Sequence, residues 1–282
     1  MKVVKTIKEV KEIVKGWKSE NLSVGLVPTM GYLHEGHASL IDASVKNNDK
    51  TVVSIFVNPM QFGVNEDLDS YPRDLNHDSK LCEEHHADLI FNPEPSEMYD
   101  SSFCTYVNMD ILTQELCGLS RPVHFKGVCT VVSKLFNIVQ PNNAYFGQKD
   151  AQQLAIIKQM VHDLNMPLEI HGCPIIREQD GLAKSSRNTY LNTEERKSAL
   201  ILSKSIKLGE DMVKNGERDS QKVVSAMVEL ISNEPLAKID YVKIVDLKTM
   251  QQVKTIEKPI LCAIAVYIGK TRLIDNFIFE EV

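Results

Sequence analysis

At 282 residues the chain has room for roughly two domains of about 150 residues each. Hydrophobic residues make up 43% and charged residues 25%, which excludes a disordered or fibrous protein. The formal net charge of −6 draws the whole molecule to neither nucleic acid nor an anionic membrane, so an anionic substrate must meet a local cluster of cations. The longest uncharged apolar stretch, nine residues over 260–268, is about half of what a membrane-spanning helix needs. Lysines punctuate the first residues where an export signal carries an apolar core, so a cytoplasmic protein is expected. The six cysteines form no CxxC and are too sparse for a disulfide framework; buried thiols are expected.

In chain order, Ile7, Val10, Ile13, Val14 and Trp17 recur at helical spacing. Residues 23–27 read as a short buried strand stopped by Pro28. A helix pattern over 37–45 precedes a β-branched strand over 51–57, ended by Asn58-Pro59. Then come a polar helix over 76–86, a strand over 88–91, a helix over 128–139 and a strand over 144–146. A helix over 151–164 and a strand over 168–176 complete the series. This alternation predicts an α/β fold, a Rossmann-like doubly wound parallel sheet that binds ligands at the carboxyl ends of its strands. After residue 176 the pattern changes to two long helices (193–214 and 219–232) and three strands (239–245, 260–268 and 272–279). We therefore expect two domains: a nucleotide- and substrate-binding domain over 1–176, and a smaller C-terminal α+β domain over 177–282 acting as a lid.

The most informative stretch is Pro28-Thr-Met-Gly-Tyr-Leu-His-Glu-Gly-His37. It lies where a strand gives way to a helix, so backbone N–H groups and the positive helix end face whatever sits above the sheet. Gly31 and Gly36 let the main chain approach a ligand, and His34 and His37 stand on one face of the first turn. Such an arrangement suits a polyphosphate. Zinc is the poorer reading, since the spacing is not HExxH and no third ligand follows. A helix-capping role without a ligand stays open on these residues alone.

Phe146-Gly-Gln-Lys-Asp150 also follows a strand and opens a helix, a second anion-receptive turn. There Lys149 can place a charge on a phosphate, and Asp150 suits a ribose hydroxyl or the helix N-terminus. Ser185-Ser186-Arg187 offers two hydroxyls and a guanidinium fork in a polar loop. Gln61 and Gln153 are neutral amides able to bind a hydroxyl and a carboxylate oxygen. Asn58, Phe62, Met30 and Val132 complete a pocket with apolar walls, and Arg121 and Lys126 are further candidate cations. Asp78 is a weaker candidate for an outer contact to a metal ion.

The first motif resembles the nucleotide-binding signature of the pantoate–β-alanine ligases, a variant of the HIGH motif of adenylate-forming nucleotidyltransferases. The likeness continues through Ser54-Ile-Phe-Val-Asn-Pro-Met-Gln-Phe62, Tyr71-Pro-Arg-Asp74, His124-Phe-Lys-Gly-Val-Cys-Thr-Val-Val-Ser-Lys-Leu-Phe136, Phe146-Gly-Gln-Lys-Asp-Ala-Gln-Gln153 and Arg177-Glu-Gln-Asp-Gly-Leu-Ala-Lys-Ser-Ser-Arg-Asn188. The C-terminal third carries no matching signature. The resemblance implies ATP with Mg²⁺ held mainly by the nucleotide, and pantoate and β-alanine as substrates. It implies no nucleic acid or membrane partner, and a homodimer. It assigns ATP to Pro28, Thr29, Met30, Gly31, His34, Gly36, His37, Gly147, Lys149, Asp150, Ile176, Lys184, Ser185, Ser186 and Arg187. His37, His34, Lys149 and Arg187 carry the catalytic roles. Pantoate and β-alanine fall to Gln61, Gln153, Asn58, Phe62, Val132 and Arg121. The Ser185–Arg187 loop stands for the superfamily's KMSKS loop, with Lys184 where an apolar residue is common. The rivals are a nucleotidyltransferase acting on a phosphorylated acceptor, and a regulatory nucleotide-binding protein without turnover.

Overall fold

The computed structural model describes residues 1–64 and 66–280. The chain forms two compact units. The first comprises Met1–Met109, Arg121–Gln148 and Ile156–Pro174; the second comprises Asp110–Ser120, Lys149–Ala155 and the chain from Ile175 onward. A single cut at residue 176 does not give this division, and a local cause is Gln152. Its amide donates to the carbonyls of Leu112 (2.9 Å) and Glu115 (2.7 Å) and accepts from the Cys117 N–H (2.9 Å), stitching two separate segments together.

In the first unit, strands β1 (Lys2–Val4), β2 (Val24–Thr29), β3 (Lys50–Ile55), β4 (Leu89–Phe91), β5 (Asn143–Gly147) and β6 (Glu169–Cys173) form one parallel sheet, ordered β1-β4-β3-β2-β5-β6. The helices up to this point are α1 (Ile7–Ser19), α2 (Glu35–Asn47), α3 (Leu75–Glu84), α4 (Pro95–Met98), α5 (Cys117–Ser120), α6 (His124–Val139) and α7 (Ala151–Asp163). Of these, α5 and the first turns of α7 belong to the second unit. A Thr6–Glu9 capping box starts α1. Val27, Val53, Ile55 and Ile90 pack with Leu33, Leu40 and Ile41 in one core. Alternation turns Leu26, Val52 and Leu89 to the opposite face, also buried.

Two local features differ from the sequence reading. Strand β1 is too short for alternation to show; pairing Val3 with Ile90 makes it a strand. Pro28 does not stop β2 but lies within it, opposite Ser54. The Thr29 carbonyl accepts from Phe56 N–H (3.1 Å), so Thr29 faces β3 and Pro28 faces β5, whose ladder to β2 covers only Gly25 and Leu26. The missing proline N–H therefore costs no ladder bond.

Strand order runs outward from β2 through β3 and β4, then reverses to β5 and β6. Ligands bind at such a switch point, above the carboxyl ends of the strands. The chain leaving β2 there enters the Met30–His37 turn, and the chain leaving β5 enters Gly147–Asp150.

In the second unit, α8 (Thr193–Ser198), α9 (Leu200–Lys214) and α10 (Ser220–Ser232) precede the antiparallel sheet β7 (Ala237–Asp246), β8 (Ile260–Ile268) and β9 (Thr271–Phe279). The single helix expected over 193–214 breaks at Ala199, whose N–H bonds the Glu195 carbonyl while Leu200 starts a new helix. Leu202, Ile206 and Val213 of α9 join Val223, Met227 and Ile231 of α10 on Ile244, Ile260, Ile264 and Val266. Among the described residues no helix is long and apolar enough to cross a membrane. Cys82, Cys129, Cys173 and Cys262 are buried thiols as expected, whereas Cys117 is half-buried and Cys104 exposed.

Candidate active site

The turn after β2 is built from its own hydrogen bonds. Thr29 Oγ1 donates to the Ser54 carbonyl (2.7 Å) and accepts from the Gly31 N–H (3.2 Å). Gly31 and Tyr32 take φ values of +84° and +51°, two left-handed residues in succession. A Cβ on Gly31 would lie 3.0 Å from both Asp78 Oδ2 and Ile55 Cγ2, a tight fit that adds to the preference its φ gives for glycine. His34 caps α2, with Nδ1 accepting from the Gly36 N–H (3.1 Å). His37 Nδ1 accepts from the His34 N–H (3.3 Å). Because each Nδ1 accepts, each neutral ring carries its proton on Nε2. The two ring centroids are 4.1 Å apart. The helix-capping and anion-binding readings of these histidines are therefore not rivals: capping with one nitrogen orients the other as a donor.

A second cluster in the same unit centres on Gln61, 7% exposed. Asn58, at 1% exposure, accepts at Oδ1 from the Met60 N–H and the Tyr99 hydroxyl (2.8 Å). Its Nδ2 donates to Gln61 Oε1 (3.0 Å) and the Gly127 carbonyl (3.1 Å). Asn58 is thus saturated, and it fixes which way the Gln61 amide points: Gln61 Nε2 turns to Met30 Sδ (3.1 Å). His124 Nδ1 donates to the Gln61 carbonyl (3.0 Å). A Cβ on Gly127 would meet the Met60 carbonyl oxygen at 2.4 Å, so α6 can lie against this loop only through glycine. Phe62 and Val132 are buried. Arg121 pairs through Nε with Glu66 (2.9 Å), and Lys126 lies 4.1 Å from the Tyr106 ring. Burial acts to raise the Glu66 carboxyl, but the Arg121 hydrogen bond and charge hold it below the usual carboxylate value. Gly147, at the end of β5, has open space where a Cβ would stand.

In the second unit Lys149, Ser185, Asn188 and Asp275 line one small cleft with Leu182 and Ala183. The Lys149 carbonyl accepts from Asn276 Nδ2 (2.9 Å). Asp150 follows it, and Gln153 is half-buried in the first turns of α7. Ile176 and Lys184 are joined by a backbone bond of 2.9 Å, and Ser185 Oγ accepts from the Arg187 N–H (3.3 Å). Ser186 is buried. Ion pairs pin this loop: Arg177 grips Asp275 with two bonds (2.7 and 3.0 Å), and Arg196 holds Glu178 (2.7 Å) and Asp180 (2.8 Å). Burial acts to raise the Glu178 carboxyl, but hydrogen bonds from Arg196 and Asn188 hold it low.

Sequence reasoning missed the residues that support these groups: His77, Tyr99, His124, Gly127, Arg177, Arg196 and Asp275. Several lie inside the quoted motifs, yet a supporting role shows only once a partner's position is known. Asp78 holds the turn after β2. It is 1% exposed, and its oxygens accept from the Tyr32 (2.9 Å) and Leu33 (2.6 Å) N–H groups. Burial pushes its carboxyl above the usual value, and those two bonds oppose the shift.

Residues 2–278 match the family described as Pantoate-beta-alanine ligase. A pantothenate synthetase of Ruminiclostridium cellulolyticum is 68% identical over 279 residues, 99% of each chain. One from Clostridium botulinum is 63% identical over 280 residues, 99% of this chain and 100% of that one. Among solved structures, the pantothenate synthetase of Thermus thermophilus matches with a TM-score of 0.93 at 41% identity, over 98% of this chain and 99% of that one. The pantoate-beta-alanine ligase of Francisella tularensis, solved with beta-gamma ATP and beta-alanine, gives 0.80 at 34% identity over 98% and 97%. With matches of this extent along nearly its whole length, the chain belongs to the pantoate–β-alanine ligase family.

Proposed function

We infer that this chain condenses pantoate with β-alanine at the expense of ATP, giving pantothenate, AMP and pyrophosphate through a pantoyl adenylate. The observation that carries the reading is the turn after β2, at the reversal of strand order, where two capped imidazoles both hold their protons on Nε2. A carboxylate does not react with an amine at pH 7, because its carbonyl is a poor electrophile and oxide a poor leaving group. In the first step a pantoate carboxylate oxygen attacks the α-phosphorus, forming a P–O bond as the bond to pyrophosphate breaks. His34 and His37 donate Nε2–H to phosphate oxygens as charge develops, and Lys149, Ser185, Ser186 and Arg187 stabilise the leaving pyrophosphate. Pro28, Thr29, Met30, Gly31, Gly36, Gly147, Asp150, Ile176 and Lys184 shape the nucleotide site.

In the second step the β-alanine amine attacks the acyl carbon, and AMP leaves. Gln61 and Gln153 hold pantoate between the apolar walls of Phe62 and Val132. The Nε2 of Gln61 donates, and Asn58 and Arg121 complete the pantoate and β-alanine site while bonding Gln61 and Glu66. Placement of the neutral amine beside the acyl adenylate can offset roughly 7–11 kcal/mol of barrier. The C–O bond to AMP breaks as the C–N bond forms, the amine proton passes to solvent, and His37 is the candidate to relay it. Among the described residues no group of three or more His, Cys, Asp or Glu side chains is placed to hold a metal. Mg²⁺ enters with the nucleotide, held mainly by the ATP phosphates. Closure of the second unit over the nucleotide, a homodimer and a cytoplasmic location complete the proposal. The dimer rests on the family resemblance, closure on the place of the Ser185–Arg187 loop near the boundary, and location on the lysine-rich first residues. Light scattering tests the oligomeric state.

The deciding experiment incubates ATP, Mg²⁺ and pantoate with and without β-alanine and follows AMP and pyrophosphate. Pantoate-dependent pyrophosphate, with AMP released in proportion to β-alanine, is expected. ADP as product, or pyrophosphate release without pantoate, overturns the reading. Transfer to a phosphorylated acceptor without AMP would favour the nucleotidyltransferase instead.

A further inference from the structure

We propose that His77 and Asp78, on the first turn of α3, form a clasp that positions the ATP-binding turn, making Asp78 a positioning residue for His34 and His37. The proposal rests on the reading that these histidines bind ATP. The clasp takes hold of the turn at two adjacent residues and in both polarities. Asp78 accepts from the N–H groups of Tyr32 and Leu33 at 2.9 and 2.6 Å, while His77 Nε2 bonds the Leu33 carbonyl at 2.9 Å. A carbonyl only accepts, so His77 donates there from Nε2. The clasp is itself set by Asp74, whose side chain accepts from the His77 N–H at 3.0 Å and caps α3.

The turn needs such support. Gly31 and Tyr32 take positive φ in succession, and Tyr32 is not glycine, so the turn holds a conformation that costs a side-chain-bearing residue. The next two N–H groups, of Tyr32 and Leu33, both point at one anion. Asp78 supplies that anion from within the protein, at 1% exposure. Immediately after the clasped residues comes His34, whose Nδ1–Gly36 bond and whose N–H to His37 Nδ1 set both ring tautomers. A turn that relaxed at Tyr32 and Leu33 would carry the His34 backbone with it and loosen both caps. With both carboxylate oxygens engaged by main-chain N–H groups, Asp78 ties α3 to the turn.

The test uses the full chain and the variants Asp78→Asn and His77→Ala. The asparagine keeps the shape but turns an amino group toward a backbone N–H. The imidazole ¹⁵N signals of His34 and His37, recorded without nucleotide, are expected to show the Nε2–H tautomer in the parent. In Asp78→Asn they should move toward averaged values. Calorimetric Kd for ATP should rise roughly ten- to hundredfold, as expected for losing a charged acceptor. His77→Ala should shift both readings in the same direction by less. Unchanged imidazole signals and Kd in a folded Asp78→Asn overturn the proposal. If Asp78→Asn does not fold, His77→Ala decides by the same two readings, and no change in either overturns it. Neither reading needs turnover, so a parent that fails to make AMP from pantoate would sink the proposed function while leaving the clasp standing or falling on its own signals.

Discussion

At the scale of single residues, one nitrogen of His37 caps while the other carries the proton, which gives the residue separable roles. His37→Ala should lower the single-turnover rate of pantoyl adenylate formation by about 10²- to 10³-fold, the usual effect of removing one donor to developing charge. Nucleotide affinity should fall far less; equal losses would make His37 a binding group only. Glu66 gives a pH dependence whose sign follows from its lowered carboxyl. Its contribution is in place above the unfolded value of about 4.3 and is lost as pH falls through the lower folded value. Thermal melts of the parent and Glu66→Gln should therefore differ by about 1 kcal/mol near pH 7 and converge at acid pH. The histidine pair was legible in the sequence because glycines flank it at a strand-to-helix junction. The tautomers were not, since they follow from backbone N–H positions. What the sequence does not show for Asn58 and Arg121 is their protein partners: Gly127 and Tyr99 engage the one and Glu66 the other.

At the scale of elements, α6 approaches the Met60–Gln61 loop closely enough that a methyl on Gly127 would overlap main-chain atoms at 2.4 to 2.6 Å. Main chain cannot swing aside as a flexible side chain can. Gly127→Ala should cost about 1–3 kcal/mol in a melt, as overpacking usually does. It should also raise KM for pantoate more than KM for ATP, because Gln61 moves and the turn at His34 does not. The elements themselves were largely legible. Alternating strands and helices over the first 176 residues predicted the parallel sheet, since fully buried strands read as short β-branched runs. Boundaries failed where a partner decides them. Pro28 continues a strand because its flank toward β5 is unpaired, and β1 exists only by pairing with β4.

At the scale of the molecule, sequence pattern found two grammars, doubly wound and then α+β, but placed one border where the chain crosses more than once. Residues 110–120 and 149–155 carry no compositional mark of the second unit. Lys243 pairs with Glu115, the Tyr241 hydroxyl meets Cys117 Sγ at 3.2 Å, and Asn276 bonds the Lys149 carbonyl at 2.9 Å. Those bonds assign the segments, and pairings across more than a hundred positions of sequence leave no periodic trace. During translation, then, the ribosome emits pieces of the later lobe long before the strands they bond to. A fragment beginning at Ile175 would lack them. Because the apolar core of this unit lies wholly within the fragment, its amides should stay dispersed. Exchange protection should be lost around Tyr241, Lys243 and Asn276, and peptides spanning 110–120 and 149–155 should restore it; a collapsed, undispersed spectrum would show the segments to be essential to folding.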